Sequence, residues 1–394
     1  MKRWRKFFST MAVIGLGTTL FAAAPAVAST PTLPGLDGHG ATYPRPSITA
    51  VHPVFVQNDA PAGNTIVAYD RTPSGGLTKV GSYPTGGKGG VLSGSAVDHL
   101  ASQGSLAYDP IGHTLIAVNA ASNTITVFGV SGDRLSRRQI IATGGTFPVS
   151  VAARGGVVFV LNARSGASIS GYLNIGGYLF PLPSWHRDLH LSTSAPGHSD
   201  EFTSTPGQIG FSPDGSHLLV STKNGGNSIL TFSVGLFGPS SRPVVTSLPG
   251  TVPFGFAFDA AGRLAVTEAG PNAVATFNLT RSGRLTPLSS TATGQAATCW
   301  VTAIGADVYA SNAGSAAVSG YRVDRRGALS AIGTAATGAG TVDSAASADG
   351  RFLYVQGGAA GTVDAYAVRA DGSLTATGSV TVPGAVGGEG IVAL

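Results

Sequence analysis

The chain has 394 residues, of which only 11% are charged, with 57 glycines and a single cysteine. One cysteine excludes an intramolecular disulfide, so this chain must be held together by burial, and its length allows a large core. The composition also argues against disorder, because 43% of the residues are hydrophobic and disordered chains combine low hydrophobicity with high charge.

The first 28 residues are typical of a secretory signal peptide. Four basic residues open the chain, an apolar stretch covers about 7–24, and AVA at 26–28 fits a cleavage site. Removal of 1–28, which carries four basic and no acidic residues, lowers the formal net charge from +5 to +1. This weak charge argues against a nucleic-acid partner. No later apolar run reaches the roughly 18 residues of a membrane-spanning helix, so we expect a secreted protein without membrane attachment after cleavage.

Residues 29–50, rich in Pro, Thr and Gly, are predicted to form a flexible lead-in. A hairpin pattern then recurs, as in VNAASNTITVF (118–128), TEAGPNAVATF (267–277) and SNAGSAAVSGY (311–321), and each copy indicates strand, tight turn and strand. The aromatic residue that ends each copy recurs at Tyr69, Phe128, Tyr172, Phe232, Phe277, Tyr321 and Tyr366. A period near 44 residues with four strand-like segments is typical of a propeller blade. We therefore predict an all-β, seven-bladed β-propeller with four-stranded blades over 51–394.

The two ends of this repeat predict how the ring closes. The first unit starts at PVFVQN (53–58) and lacks an inner strand, whereas EGIVAL (389–394) resembles the inner strands of other units. We expect the C-terminal strand to join the first blade and so protect the sheet edges. Two insertions, at 84–104 and 182–205, should lie on the face that carries the turns between second and third strands. Loops on a rigid scaffold commonly carry function.

A first group of candidate site residues occupies one position in the recurring turn. Its members are Asn119, Asn162, Lys223, Glu268, Asn312 and Gln356. Lys223 and Glu268 come from neighbouring blades and are unusual because charge is scarce. They form either a surface salt bridge worth about 0–1 kcal/mol or a substrate-binding pair.

A second group lies in the insertion SWHRDLHLSTSAPGHSDEF (184–202). Hydrolysis at a carbonyl group needs a base that activates water and a donor that stabilises the oxyanion. His198 or Glu201 would be the base, and Arg187 or Lys223 the oxyanion partner. The alternative is a solvated polar loop. His186 and His190 have zinc-binding spacing only on a helix, and this segment is loop-like, so we expect no metal.

A third group should line the funnel where the inner strands begin. It contains Gln103, Gln208, Phe254, Trp300, Asp343 and Glu389, and Asp98 and His99 from the first insertion are expected to reach the same mouth. Aromatic and amide groups suit a polar, ring-shaped ligand, although packing between blades would also explain them. Cys299 is interpreted as a small core residue, since buried thiols behave as hydrophobic groups.

Several segments together resemble the seven-bladed lactonase propellers, a family with 6-phosphogluconolactonase-like enzymes and carboxymuconate cyclases. They include GGKGG (86–90), FSPDG (211–215), VPFGFAF (252–258), TGQAATCWV (293–301) and SNAGSAAVSGY (311–321). The resemblance covers about 53–394 and implies hydrolysis or formation of a sugar-type or muconate-type lactone. The family's combination of His, Arg and Glu is not matched at the inner-strand starts PVSV, PGQI, PFGF and CWVT, which are uncharged.

The leading hypothesis is a secreted, monomeric, cofactor-free lactonase that acts on a small lactone at the propeller mouth. One alternative is a non-catalytic propeller that binds a cell-wall glycan, a peptide or a partner protein. A third reading is a calcium-supported lactonase in which Glu268 with Asn312 or Asn119 would hold the metal, although calcium needs six or more oxygen ligands.

Overall fold

A computed structural model describes residues 51–394, so the predicted signal peptide (1–28) and lead-in (29–50) lie outside the described residues. Residues 51–394 form seven antiparallel sheets that follow one another along the chain. Six sheets have four strands, and in the seventh the outer strand is split into two short segments. The predicted seven-bladed propeller is therefore confirmed.

The strands are given by blade. Blade 1 contains β1 (Pro53–Gln57), β2 (Thr65–Arg71), β3 (Leu77–Pro84) and the C-terminal β29 (Ile391–Ala393). Blade 2 contains β4 (Leu106–Asp109), β5 (Thr114–Asn119), β6 (Thr124–Ser131) and β7 (Arg134–Ala142). Blade 3 contains β8 (Pro148–Arg154), β9 (Val157–Asn162), β10 (Ser168–Ile175) and β11 (Tyr178–Asp188). Blade 4 contains β12 (Gln208–Phe211), β13 (His217–Ser221), β14 (Ser228–Gly235), β15 (Gly238–Pro239) and β16 (Val244–Ser247).

Blades 5 to 7 are regular. Blade 5 contains β17 (Pro253–Phe258), β18 (Arg263–Glu268), β19 (Ala273–Leu279) and β20 (Leu285–Ala292). Blade 6 contains β21 (Thr298–Ile304), β22 (Asp307–Asn312), β23 (Ala317–Val323) and β24 (Leu329–Ala336). Blade 7 contains β25 (Thr341–Ala346), β26 (Phe352–Gly357), β27 (Thr362–Val368) and β28 (Leu374–Thr381). The described helices are short: α1 (Glu201–Ser204) and two 3₁₀ turns, Ala120–Ser122 and Lys223–Gly225. None of the helices in this part of the chain is long and apolar enough to cross a membrane.

The ring closes through the two ends of the propeller. β29 pairs antiparallel with β1, with Val54 opposite Ala393, and becomes the inner strand of blade 1. This confirms the expected role of the C-terminal strand. Closure pairs an inner edge that would otherwise be open to another chain.

The core lies between neighbouring blades. The second strands, such as β5 and β9, are almost wholly buried because a blade packs on each side of them, whereas outer strands such as β7 are mostly exposed or half-buried. A continuous apolar run is the expected pattern for a strand that is buried on both faces.

Aromatic side chains also join neighbouring blades. The Tyr172 hydroxyl donates to the Ala142 carbonyl at 2.9 Å, and the Tyr354 hydroxyl donates to the Gly75 carbonyl at 3.1 Å.

The end of the first insertion and the residue that follows it, Asp98–Ser105, fill the centre of the ring at one face. We call this segment the plug. Its Gln103 side chain bonds to both main-chain groups of Val301 in blade 6, donating to the carbonyl at 2.8 Å and accepting from the amide at 3.0 Å. Other plug groups bond to blade 1 (Glu389), blade 3 (Val149), blade 4 (Gly207) and blade 7 (Asp343). A segment that contacts blades on opposite sides must lie on the ring axis.

Candidate functional site

A cavity of about 160 Å³ opens beside the plug. Both insertions and the first strands of blades 5 and 6 contribute to its walls. We call it the mouth cavity. Its lining residues are Gly94, Ser95, Ala96, Val97, Asp98, Ala101, Phe202, Phe254, Ala297, Cys299, Trp300 and Ala313. Larger cavities exist elsewhere in residues 51–394, such as one of about 440 Å³ along blade 3. None of these cavities borders a carboxyl group with a raised pKa.

The predicted residues Phe254 and Trp300 form the aromatic wall of the mouth cavity. Their rings pack edge to face with centroids 4.9 Å apart, a favourable geometry for aromatic pairs. The Trp300 indole N–H donates to the Ser102 carbonyl of the plug at 2.6 Å. The only polar atom of this side chain is thus already bonded, and Trp300 offers a ligand an apolar surface.

Asp98 is the one charged residue among those that line the mouth cavity, and it is only 3% exposed. Its carboxyl oxygens accept hydrogen bonds from the backbone amides of Leu100 and Ser102, both at 2.8 Å. Burial raises the pKa of Asp98 to about 7, although these amides and the nearby Lys223 oppose the rise. The group is therefore able to gain or lose a proton at neutral pH.

Lys223 does not face the cavity. Its ammonium donates to the carbonyls of Ala101 at 2.6 Å and Phe202 at 2.5 Å and to the Thr205 hydroxyl at 3.1 Å, and it lies 5.2 Å from the Phe254 ring centroid. All three donors of the ammonium are used. Burial lowers the pKa of Lys223 to about 7. Lys223 joins the plug to the second insertion.

Three more buried carboxyl groups surround the plug, and with Asp98 they form what we call the acid cluster (Asp59, Asp98, Asp343 and Glu389). Glu389 accepts a hydrogen bond from the Ser102 hydroxyl at 2.8 Å, and Asp343 accepts from the Gly104 amide at 3.3 Å. Burial, followed by mutual repulsion, raises the pKa of Asp343 to about 7 and that of Glu389 well above its usual range. Burial likewise raises the pKa of Asp59 to about 8. These pKa values mean that the acid cluster holds protons at neutral pH.

Like Lys223 and Glu268, the three residues of the second insertion that were predicted for catalysis lie outside the mouth-cavity lining. His198 is exposed. Arg187 donates to the carbonyls of Pro239 and Ser240 in blade 4, at 2.5 and 3.0 Å. These contacts give Arg187 a role in joining two blades.

Glu201 is fully buried and bonds to the Arg164 guanidinium at 2.6 Å and to the Ser93 amide at 2.8 Å. Burial raises its pKa, but the hydrogen bonds from Arg164 and Ser93 outweigh that effect, so the pKa lies below the usual range. Arg164 also stacks on the Phe147 ring at 4.1 Å. A carboxylate held this firmly anchors the second insertion and is a poor proton acceptor.

The residues of the recurring turn bond within the protein. Glu268 accepts a hydrogen bond from the Ser290 hydroxyl at 3.0 Å, and burial raises its pKa. It forms no salt bridge with Lys223 within residues 51–394. Asn119 donates to Thr126 at 2.9 Å and Asn312 to Ser319 at 3.0 Å. These amides hold neighbouring strands together.

The remaining predicted residues also bond to the protein. Gln208 accepts a hydrogen bond from the Phe256 amide at 2.6 Å, which joins blades 4 and 5. Gln103 and Asp343 hold the plug, as described above. The contacts do not support the calcium hypothesis, because Glu268, Asn119 and Asn312 bond to hydroxyl groups of their own blades. The described part of the chain shows no group of three or more His, Cys, Asp or Glu arranged to hold a metal.

Comparisons with known proteins agree with this architecture. The family model described as lactonase, seven-bladed β-propeller, matches residues 186–302 and 264–389, which overlap and together span just over half of the chain. A search of curated protein sequences found no match.

Solved structures are similar over nearly their whole length. A periplasmic gluconolactonase from Pseudomonas aeruginosa shares 18% sequence identity with a TM-score of 0.69, covering 87% of this chain and 99% of that chain. A provisionally assigned 6-phosphogluconolactonase from Bacteroides fragilis shares 19% identity with a TM-score of 0.69, covering 88% and 99%. These TM-scores show a shared fold. The family model, which matches just over half of the chain, shows that the chain belongs to the seven-bladed β-propeller lactonase family.

Proposed function

We propose that the protein is a secreted lactonase that hydrolyses a small lactone in the mouth cavity. The observation that carries this proposal is the position of Asp98, which lines the cavity and whose pKa burial raises to about 7. Family membership supports the reaction class, and the basic, apolar start of the sequence supports secretion. A general base works best when its pKa is near the working pH.

In the proposed reaction the Asp98 carboxylate accepts a proton from a water molecule beside the lactone carbonyl. The water oxygen forms a bond to the carbonyl carbon and produces a tetrahedral oxyanion. The ring C–O bond then breaks, and Asp98 returns its proton to the leaving alkoxide oxygen. The product is the open-chain hydroxy acid, and no other reactant is needed.

Backbone amides of the first insertion are the candidate oxyanion donors. Ala96 and Val97 line the mouth cavity, and within residues 51–394 their N–H groups make no hydrogen bond to a protein atom. Fixed amide donors that face a developing negative charge stabilise it. We assign this role to these amides because Lys223 is already fully bonded.

Cys299 also lines the cavity, yet we assign it no nucleophilic role. Burial raises the pKa of the Cys299 thiol to about 12. The reactive form of cysteine is the thiolate, which is scarce at neutral pH when the pKa is this high. Cys299 therefore contributes a small, largely apolar surface.

The test is hydrolysis of a lactone panel by the purified secreted protein, followed by titration of the acid released and corrected for spontaneous opening. Asp98→Asn should lower kcat/KM by about 10²–10⁴-fold, the usual contribution of general base catalysis. Asp343→Asn is the matched control, because Asp343 is an equally buried carboxyl of the acid cluster that does not line the cavity. Asp343→Asn should keep the maximal rate that the wild type reaches in a profile of rate against pH. An Asp98→Asn protein that is folded and fully active would refute the proposal. A wild-type protein that opens no lactone would favour a binding propeller.

A further inference from the structure

The walls of the mouth cavity are almost entirely apolar. Apart from Asp98, the side chains that line it are alanines, Val97, Phe202, Phe254, Trp300, the Cys299 thiol and Ser95. The Ser95 hydroxyl is already bonded to the Asp98 carbonyl. The lining therefore contains no cationic side chain, and its free polar groups are the Asp98 carboxyl and the Ala96 and Val97 amides, which we have assigned to the reaction itself.

Two cations bond to residues of the second insertion, and both are engaged within the protein. Lys223 uses its three donors on Ala101, Phe202 and Thr205, and Arg164 bonds to Glu201 and stacks on Phe147. A phosphate or carboxylate buried without a cation loses most of its hydration without an equivalent replacement. An ionised Asp98 would in addition repel it. The cavity is therefore unsuited to an anionic lactone.

A polyhydroxylated lactone is also expected to bind poorly in the mouth cavity. Each hydroxyl that enters the cavity needs a hydrogen-bond partner, or its burial is unfavourable. The indole N–H of Trp300 is used by Ser102, and the Ser95 hydroxyl by Asp98. An apolar substituent, in contrast, would pack on the Phe254 and Trp300 rings.

We infer that the substrate of the mouth cavity is an uncharged lactone with apolar ring substituents, in place of the sugar-type or muconate-type lactones that the sequence resemblance implies. The cavity volume of about 160 Å³ suits one ring with a short substituent, since an apolar cavity of about 150 Å³ holds benzene. This inference rests on the proposed lactonase function. It adds to that function the chemical class of the substrate.

Three six-membered lactones that share the reacting ring test the inference. They are δ-hexalactone, glucono-δ-lactone and 6-phosphoglucono-δ-lactone. With each kcat/KM divided by the spontaneous rate, δ-hexalactone should exceed both sugar lactones by at least about tenfold, a modest discrimination for an apolar pocket. A preference for either sugar lactone would overturn the substrate class while supporting the lactonase function.

Binding separates the two proposals further. In Asp98→Asn, δ-hexalactone should still bind and change the Trp300 fluorescence, and Trp300→Phe should lose that signal. If the wild-type protein binds δ-hexalactone without opening it, the lactonase function fails but the apolar preference stands. If the sugar lactones bind more tightly than δ-hexalactone, the inferred substrate class is wrong.

A charge placed on the cavity wall provides a second, independent test. Ala313 lines the mouth cavity, and Ala313→Lys would add the missing cation. The ratio of kcat/KM for 6-phosphoglucono-δ-lactone over δ-hexalactone should rise by about tenfold or more. The control is Ala313→Met, which adds an uncharged side chain of similar length. Its ratio of kcat/KM values should stay below the ratio of Ala313→Lys. Equal ratios in the two variants would show that missing positive charge does not exclude the phosphorylated lactone.

Discussion

The two insertions of this propeller differ in where they place their charged residues. The second insertion (182–205) carries seven titratable residues, whereas the first (84–104) carries Lys88, Asp98 and His99. The structure buries the end of the first insertion in the ring, with Leu92 and Leu100 fully buried, and leaves 195–200 of the second exposed. The insertion with more titratable residues is therefore the more exposed to solvent. The pKa of Asp98 is raised because the first insertion buries this carboxyl in the ring.

The insertions nevertheless depend on each other. Ser93 in the first bonds through its amide to Glu201 at 2.8 Å, and its hydroxyl accepts from the Gly197 amide at 3.0 Å. Phe202 of the second insertion then lines the mouth cavity. The second insertion therefore supports the site that the first insertion builds.

The largest expected effect contrasts one residue from each insertion. Asp98→Asn should lower kcat/KM for the preferred lactone by about 10²–10⁴-fold, whereas His198→Ala should change it less than about twofold, because exposed polar residues contribute little. Steady-state hydrolysis assays measure both. If His198→Ala shows the larger loss, the second insertion carries the chemistry.

Removing the central bond of the plug should have the next largest effect. Gln103→Ala leaves both main-chain groups of Val301 without their partner, at a cost of about 1–3 kcal/mol for each buried group. We expect the free energy of unfolding to fall by about 2–4 kcal/mol in urea titration. His190→Ala, in the second insertion, should change it by less than about 0.5 kcal/mol. Equal effects would mean that the plug is no better anchored than the exposed loop.

Breaking the anchor of the second insertion should cost less. Glu201→Gln removes the charge partner of Arg164, which is partly exposed and remains hydrated, so we expect a loss of about 1–2 kcal/mol in the free energy of unfolding. Asp188→Asn, an exposed carboxylate of the same insertion, is the control and should be nearly neutral. A neutral Glu201→Gln would show that the pair does not stabilise the fold.

The smallest effect concerns the pH dependence of stability. Burial raises the pKa of Glu389 above its unfolded value, so the folded protein retains a proton that the unfolded chain releases. The stability from this group is complete below about pH 4 and falls as the pH rises through the folded pKa. Glu389→Gln should therefore flatten the decline in Tm between about pH 4 and pH 8. A decline as steep as that of the wild type would exclude Glu389 as its source.

Much of the fold could be predicted because its determinants are local and repeated. The 44-residue period, the buried second strands and the turn chemistry recur in each blade, and they predicted seven blades and closure by the C-terminal strand. Phe254 and Trp300 were also predicted at the mouth, because both stand near the start of an inner strand. These positions follow from register within a blade.

The site residues could not be predicted in the same way. The plug depends on contacts such as those of Gln103 with Val301, which lie 198 residues apart. Asp59 was not among the predicted residues, and Asp98 was named only as a residue that reaches the mouth. No local pattern distinguishes a carboxyl that will be buried on the ring axis from one that stays in solvent.

The number of blades, their strand pattern and the way the ring closes all follow from a period that every unit repeats, so the order of the amino acids was enough to derive them. Which insertion enters the ring, and which polar groups remain for a ligand, depends instead on the folded molecule. The pKa values of Asp98 and Lys223 are set by burial among residues from distant blades, and burial is a property of the assembled fold.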